Sequence, residues 1–327
     1  MARRRKSRST KMQPAQTNLL FTVPQGQNQS FIDTQRSLSQ VNRRLYDQGR
    51  MVAYQGLTFV WRQDPAAPTV ASIECKVKTA ANTWITHNAF VKGKALWNRM
   101  QDLVLEDNPS IAGKWHDFKI ELSTSQTTAK TLLPRDGAGA LLTVAGLEWN
   151  ISTYVMPQHE VETAGPDAGK PLPAEEKTAV LVGPNSGTKE SLINAYQESR
   201  ATVQSPMPNV PAGMSGSFFN LLTDSGSQEP ELADVIEDEN DLPPYDRDAY
   251  PGGATNAPTT FIQGYSAVSA AEVDGRVGAF VAPCGLIEVE FNAFAADGTP
   301  ADLPELDLIL HVAPGMYKGT ASVPMGQ

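Results

Sequence analysis

An all-β fold is what this sequence predicts: a single jelly-roll antiparallel β-sandwich, with a few helices in the inter-strand connections and a disordered basic N-terminal arm. Three observations lead there. The 25 Gly and 24 Pro spread through 327 residues favour short strands joined by many turns. Several segments alternate apolar and polar residues with the period of a half-buried strand. Alternation of strands with helices does not recur, which disfavours a doubly wound parallel sheet and leaves an antiparallel sandwich of jelly-roll type as the better fit.

Residues 1–30 are basic and then rich in Gln, Asn and Pro, with one apolar patch at Leu19, Leu20, Phe21 and Val23. Such a composition cannot form a core alone, so the segment is assigned to a flexible arm and residues 31–327 to the folded domain. Over residues 34–48, Leu38, Val41 and Leu45 recur at helical spacing, with Thr34 or Ser37 as the cap and Gly49 as the stop. Strands are predicted over 57–62 and 70–78. In the second, Ala71, Ile73, Cys75 and Val77 point one way while Ser72, Glu74, Lys76 and Lys78 point the other.

Residues 88–106 read as a helix with Phe90, Leu96, Trp97, Met100, Leu103 and Val104 on one side, closed by Asn108 and Pro109. Further strands are predicted over 117–122, 141–155, 178–182, 260–265, 277–281, 286–294 and 306–312, with a third helix over 188–203. The total is roughly nine strands and three helices. All five tryptophans (Trp61, Trp84, Trp97, Trp115, Trp149) lie between positions 61 and 149 and are expected in the core, with subunit contacts as the alternative.

Charge is distributed unevenly. The chain carries 27 Lys+Arg against 36 Asp+Glu, net -9, yet Arg3, Arg4, Arg5, Lys6, Arg8 and Lys11 fall in the first eleven positions, where no acid occurs. Between Asp224 and Asp248 there are ten acids and one base, inside a low-regularity stretch, 207–258, expected to be a long irregular acidic loop. The longest apolar run, residues 138–147, is about half of the roughly 20 residues a membrane-spanning helix needs. A secretory leader is not expected, because the basic start is followed by Gln, Pro, Ser and Thr rather than an apolar stretch. Cys75 and Cys284 are too few for a disulfide framework or a zinc cluster and are expected as buried free thiols.

Enzyme signatures fit the sequence poorly. Gly183-Pro-Asn-Ser-Gly187-Thr-Lys189-Glu190 approaches a phosphate-binding loop, but three residues rather than four separate the glycines, and an acid follows the lysine where Ser or Thr is needed. The stretch around Ser215 lacks the spacing of a nucleophile elbow. His87, His116, His159 and His311 are dispersed without metal-ligand spacing. Neither an enzymatic activity nor a cofactor is expected.

The basic arm is the stronger signal. Six cations interleaved with Ser and Thr neutralise phosphates without reading bases, and no aromatic residue precedes Phe21 to stack on a base. Arg36, Arg43 and Arg44 on the first helix are candidates for the same contact, a solvated basic face being the alternative. Arg3-Arg-Arg-Lys6 also fits a nuclear localisation signal.

Several stretches together resemble the capsid proteins of small circular Rep-encoding single-stranded DNA viruses, particularly the environmental and marine group. They are Phe31-Ile-Asp-Thr-Gln-Arg-Ser-Leu-Ser-Gln-Val-Asn-Arg-Arg-Leu-Tyr-Asp-Gln-Gly49, Trp84-Ile-Thr-His-Asn-Ala-Phe90, and His116-Asp-Phe-Lys119. Gly146-Leu-Glu-Trp-Asn-Ile-Ser152 is similar to that group's Gly-Glu-Trp-x-Tyr-Ser element, although Asn150 and Ile151 depart from it. Pro243-Pro-Tyr-Asp-Arg-Asp-Ala-Tyr-Pro-Gly-Gly253 follows an acidic run as it does there, and Asp47 stands where a basic residue is common. The resemblance implies a capsid subunit that assembles with copies of itself into a small icosahedral shell around circular single-stranded DNA, found in the virion and, during assembly, in the host nucleus, reached through the nuclear import machinery. It implies no catalytic residue and no membrane partner. The alternative is a non-capsid jelly-roll module that binds nucleic acid or carbohydrate.

Overall fold

A computed structural model describes residues 13–62, 70–113, 116–142, 149–156, 175–201 and 258–326. The chain begins with strands β1 (Asn18–Val23) and β2 (Gln29–Asp33), helix α1 (Thr34–Asn42), and strands β3 (Arg50–Trp61) and β4 (Ser72–Thr79). Helix α2 (Trp84–Asp107) leads to β5 (Glu121–Ser123), β6 (Thr153–Met156), β7 (Glu175–Val182), β8 (Lys189–Ser191) and helix α3 (Leu192–Ala201). The last third is strand: β9 (Phe261–Ser269), β10 (Asp274–Val277), β11 (Phe280–Ala282), β12 (Leu286–Phe294), β13 (Pro300–Ala301), β14 (Leu306–Val312), β15 (Pro314–Gly315), β16 (Gly319–Thr320) and β17 (Ser322–Pro324).

The fold is an all-β sandwich. One antiparallel sheet runs β1-β14-β3-β10, with β11 and β17 also pairing the long β3. The other runs β13-β12-β4-β9, with β2 also on β12. Their inner faces meet at Phe59 of β3 and Phe291 of β12, edge to face at 5.8 Å between ring centres. Alternation supplies this interior: Leu57, Phe59 and Trp61, Ile73, Cys75 and Val77, and Leu306, Leu308 and Leu310 are all buried in one cluster. On β4 the other face carries Lys76 and Lys78, set opposite Glu290 and Glu288 of β12. The Lys76–Glu290 and Lys78–Glu288 pairs lie at 3.6 and 3.7 Å, and Lys78 also bonds Glu290.

A smaller mixed sheet, β5-β7-β6 with β8 on β7, packs with α2 and α3 around a second apolar cluster. It includes Phe31, Ile85, Phe90, Trp97, Phe118, Ile120, Leu181 and Ile193.

The main departure from expectation lies at the N-terminus. Residues 18–23 and 29–30, assigned to the arm, pair into both main sheets: β1 joins β14 along its whole length, with Leu19, Phe21 and Val23 fully buried, and β2 joins β12. The apolar patch needs no core of its own, because a strand almost 290 residues away supplies one (Leu20 opposite Ile309). Residues 1–12 and 202–257, which hold the basic run and nearly all of the acidic loop, lie outside the described residues.

Other boundaries shift for local reasons. Helix α1 ends at Asn42 rather than residue 48, since Arg43 adopts a left-handed conformation (φ 53°), and Leu45 is left exposed. Its cap is Asp33, whose Oδ1 accepts from Arg36 N–H at 3.0 Å; neither Thr34 nor Ser37 fills that place. Helix α2 starts four residues early because Thr83 caps it. The third helix begins at Leu192, since residues 189–191 form β8 parallel to β7. The strand expected over 277–281 is broken between β10 and β11. From the expected strand 141–155, only Thr153–Met156 is strand; residues 143–148 lie outside the described residues.

Phe118, Ile120 and Leu122 are buried as expected, but Asp117 and Lys119 are buried as well, so burial does not alternate, and residues 117–120 join no ladder. Side chains satisfy that backbone instead: Lys119 N–H donates to Ser152 Oγ, Ile120 N–H to Gln48 Oε1 and Leu122 N–H to Gln126 Oε1. Both cysteines are free and buried, as expected. Among the described tryptophans, Trp61 and Trp97 are buried, Trp149 is half-buried and Trp84 is exposed.

Candidate nucleic-acid interface

The exit of the arm is defined by residues 13–16. Gln16 N–H donates to Asn42 Oδ1 at 2.7 Å, Asn42 Nδ2 donates back to Gln16 O at 3.1 Å, and Arg44 donates to Pro14 O at 3.0 Å. Gly319, with φ +99°, presses against Ala15 and Gln13, so a side chain there would meet both. The root of the basic segment is thus pinned to the C-terminal end of α1. That end is the negative pole of the helix, where cations are favoured.

Arg43 and Arg44 are exposed at this root. Around them stand cations that share no local motif with them. Lys318 bonds Leu45 O and lies 3.9 Å from Asp47. Arg50 stacks on Tyr317, its guanidinium 3.6 Å from the ring centre. Tyr317 donates to Asp47 at 2.8 Å, and Tyr46 donates to Lys318 O at 2.8 Å. Burial, followed by the Asp47 carboxylate, holds the Tyr317 phenol far above its ordinary value, so it remains a neutral donor. Arg135 lines a groove of about 390 Å³ together with Arg43, Gln16 and Asn18. The surface therefore gathers Arg43, Arg44, Arg50, Arg135 and Lys318 against Asp47 and Asp136.

Arg36 belongs elsewhere. It sits in the first turn of α1, half-buried, and lines a polar cavity of about 510 Å³ with Asp33, Glu121, Trp149 and Lys189. Asp33 at the cavity's edge accepts from Trp149 Nε1–H at 2.9 Å and Gln48 Nε2 at 3.2 Å, and burial pushes its carboxyl above the ordinary range. Arg3, Arg4, Arg5, Lys6, Arg8 and Lys11 lie outside the described residues. Of the candidate cations, then, Arg43 and Arg44 come together and Arg36 is separate. The sequence reading missed Arg50, Arg135 and Lys318, which only tertiary contact brings to this end.

The other chemistry weighed in the sequence is engaged in structure. Lys189 contacts Glu121 at 2.6 Å and donates to Gln126 O at 2.6 Å, while Ser186 and Lys189 exchange backbone hydrogen bonds that fold the loop back on itself. That leaves a hairpin-like turn before β8 rather than a cradle of amides at a helix start. His87 accepts from Gly326 N–H through Nδ1 at 3.0 Å, and His311 lies 3.0 Å from both Thr58 and Asn18; His116 lies against Trp97, and His159 lies outside the described residues. Among the described residues, no cluster of three or more His, Cys, Asp or Glu is arranged for a metal, and no helix is long and apolar enough to cross a membrane.

Comparison with known proteins returns no matching family model, no matching curated protein and no matching solved structure.

Proposed function

We propose that this chain is a viral capsid protein: a jelly-roll subunit that self-assembles into a small icosahedral shell and packages circular single-stranded DNA through its arginine-rich arm. The observation that carries the reading is the arm's exit. A segment with six cations in its first eleven residues leaves the sandwich beside Arg43 and Arg44, so its charges and those of the two arginines reinforce one another. Phosphate contact of this kind is independent of base sequence, as packaging a whole genome requires.

Two further features support it. Strands distant in sequence are neighbours in the facing sheets (β1 with β14, β2 with β12, β4 with β9), the kind of connection a jelly roll uses. The acidic run between Asp224 and Asp248 would oppose a genome's charge, so it belongs on the shell's exterior or at subunit contacts. The same arm supplies a nuclear import signal for assembly in the host nucleus.

Negative-stain microscopy of the purified protein tests the reading. Uniform closed particles are expected. A monomer over a wide concentration range, with salt-sensitive nucleic-acid affinity or with sugar affinity, would instead establish a non-capsid binding module.

A further inference from the structure

One side of α1 faces away from the core and carries two recesses. Thr34, Ser37 and Leu38 are buried, whereas Arg36, Gln40 and Arg43, at i, i+4 and i+7, fall on the opposite side of the helix. Gln40 and Arg43 line the groove of about 390 Å³ at the root of the arm, and Arg36 lines the cavity of about 510 Å³ at the other end of the helix. Arg36 and Arg43 are seven residues apart, which is about 10 Å along the axis.

The walls of the Arg36 cavity are held by bonds of their own. Asp33 accepts from the Arg36 amide, the Trp149 indole and the Gln48 side chain, while Lys189 is tied to Glu121 and to Gln126 O. The Trp149 ring centre lies 5.1 Å from the Lys119 ammonium. Arg36 is the exception. Among the described residues its guanidinium forms no hydrogen bond or ion pair, and its Nε is buried without a partner. Both carboxylates are met by donors and Lys189 by an acid, so one guanidinium is left to receive one negative charge.

The volume exceeds what a phosphate group alone would fill and falls within the range of small-molecule sites. Beyond Arg36 the space is bounded by Trp149, Thr128 and Thr178, an aromatic surface with neutral hydroxyls beside it. Such a lining suits a planar, uncharged base. A phosphodiester joined to a base carries the single charge that Arg36 can meet. A free nucleoside monophosphate brings close to a second charge, for which no cation is left.

We propose that this cavity seats one nucleotide of a single strand, its phosphodiester on Arg36 and its base against Trp149. The proposal rests on the packaging reading above and adds a fixed, base-stacking contact to the basic arm. A strand held at Arg43 has Arg36 in reach on the same side of α1.

The dinucleotide d(TpT), with one phosphodiester, tests it by calorimetry and tryptophan fluorescence on the full chain. Arg36→Gln should weaken d(TpT) binding about tenfold without altering the circular-dichroism signature, since the side chain it replaces holds nothing in place; Arg36→Lys should recover part of the loss. Deleting residues 2–11 should leave d(TpT) affinity unchanged. Trp149→Phe keeps a ring in the wall, so it should abolish the fluorescence change and leave affinity within about threefold. Dimethyl phosphate, which lacks a base, and thymidine monophosphate should each bind at least about tenfold more weakly. Equal binding of either one, or d(TpT) affinity indifferent to Arg36→Gln, would overturn the proposal. Shells that hold nucleic acid, formed by a chain that binds no d(TpT), would overturn it and leave the shell reading intact. Binding of d(TpT) with no shells would remove the shell reading and leave the cavity's ligand standing.

Discussion

Between the two main sheets, apolar side chains from both inner faces are buried in one shared cluster; along the helical flank, one half of α2 is packed and the other half is bare. The difference follows from how each region is built. In the sandwich, strands from both ends of the chain alternate in and out, so β1, β3, β4, β12 and β14 all present one face to a shared interior. On the flank, the 24-residue α2 is about 36 Å long, and a ten-residue α3 has little more than a third of its span. The sandwich should therefore dominate subunit stability, and the bare half of α2 should contribute little to it.

Substitutions can break or sharpen that contrast. The largest loss is expected from Phe59→Ala, which removes the ring facing Phe291 and should cost about 3–5 kcal/mol in denaturant unfolding. Asp33→Ala should cost about 1–3 kcal/mol, since it strands the Arg36 amide, the Trp149 indole and the Gln48 side chain as donors. On the packed half of α2, Gly93→Ala would set a methyl group 2.8 Å from Leu192 and 2.9 Å from the Tyr154 hydroxyl. Overpacking of about 1–3 kcal/mol there exceeds the roughly 1 kcal/mol gain in helix propensity. On the bare half, Leu103→Ala should change monomer stability by less than about 0.5 kcal/mol. A Leu103 effect as large as that of Phe59 would erase the distinction.

The smallest effect concerns pH. The Lys78 hydrogen bond holds Glu290 below its ordinary value of 4.5, against an opposing push from burial. That contribution is present above pH 4.5 and is lost as pH falls through the lowered value. Burial pulls Lys78 down, but hydrogen bonding and charge from Glu290 and Glu288 outweigh it and raise it above 10.5, so its contribution is complete below that pH and lost as pH rises further. Glu290→Gln should flatten the acid limb of the stability curve measured by thermal unfolding. An unchanged limb would show that the pair adds nothing to stability.

The same contrast explains what was legible in the sequence. Strands β12 and β14 lie where alternation and apolar runs place them, and β4 buries the residues its pattern selects. Periodicity reports burial directly where the partner is a whole sheet. It fails where the partner is remote or absent: the patch that became β1 depends on β14, and the apolar side assigned to α2 mixes buried Phe90 and Trp97 with exposed Leu96, Leu103 and Val104. Helix α1 was read too long because Leu45 continues the spacing, whereas a left-handed turn at Arg43 ends it. At the candidate interface, Arg43 and Arg44 were visible beside one another. Lys318 was not, because the contact of its ammonium with Leu45 O joins positions 273 residues apart.

The central claim is that a basic arm leaving beside Arg43 and Arg44 binds the packaged genome. Its most direct test is the nucleic-acid content, by absorbance, of particles purified from the full chain and from a variant lacking residues 2–11. The account predicts particles from the deletion variant that retain the sandwich's circular-dichroism signature and hold markedly less nucleic acid, with Arg43→Ala plus Arg44→Ala lowering it further. Equal nucleic-acid content with and without the arm would contradict it.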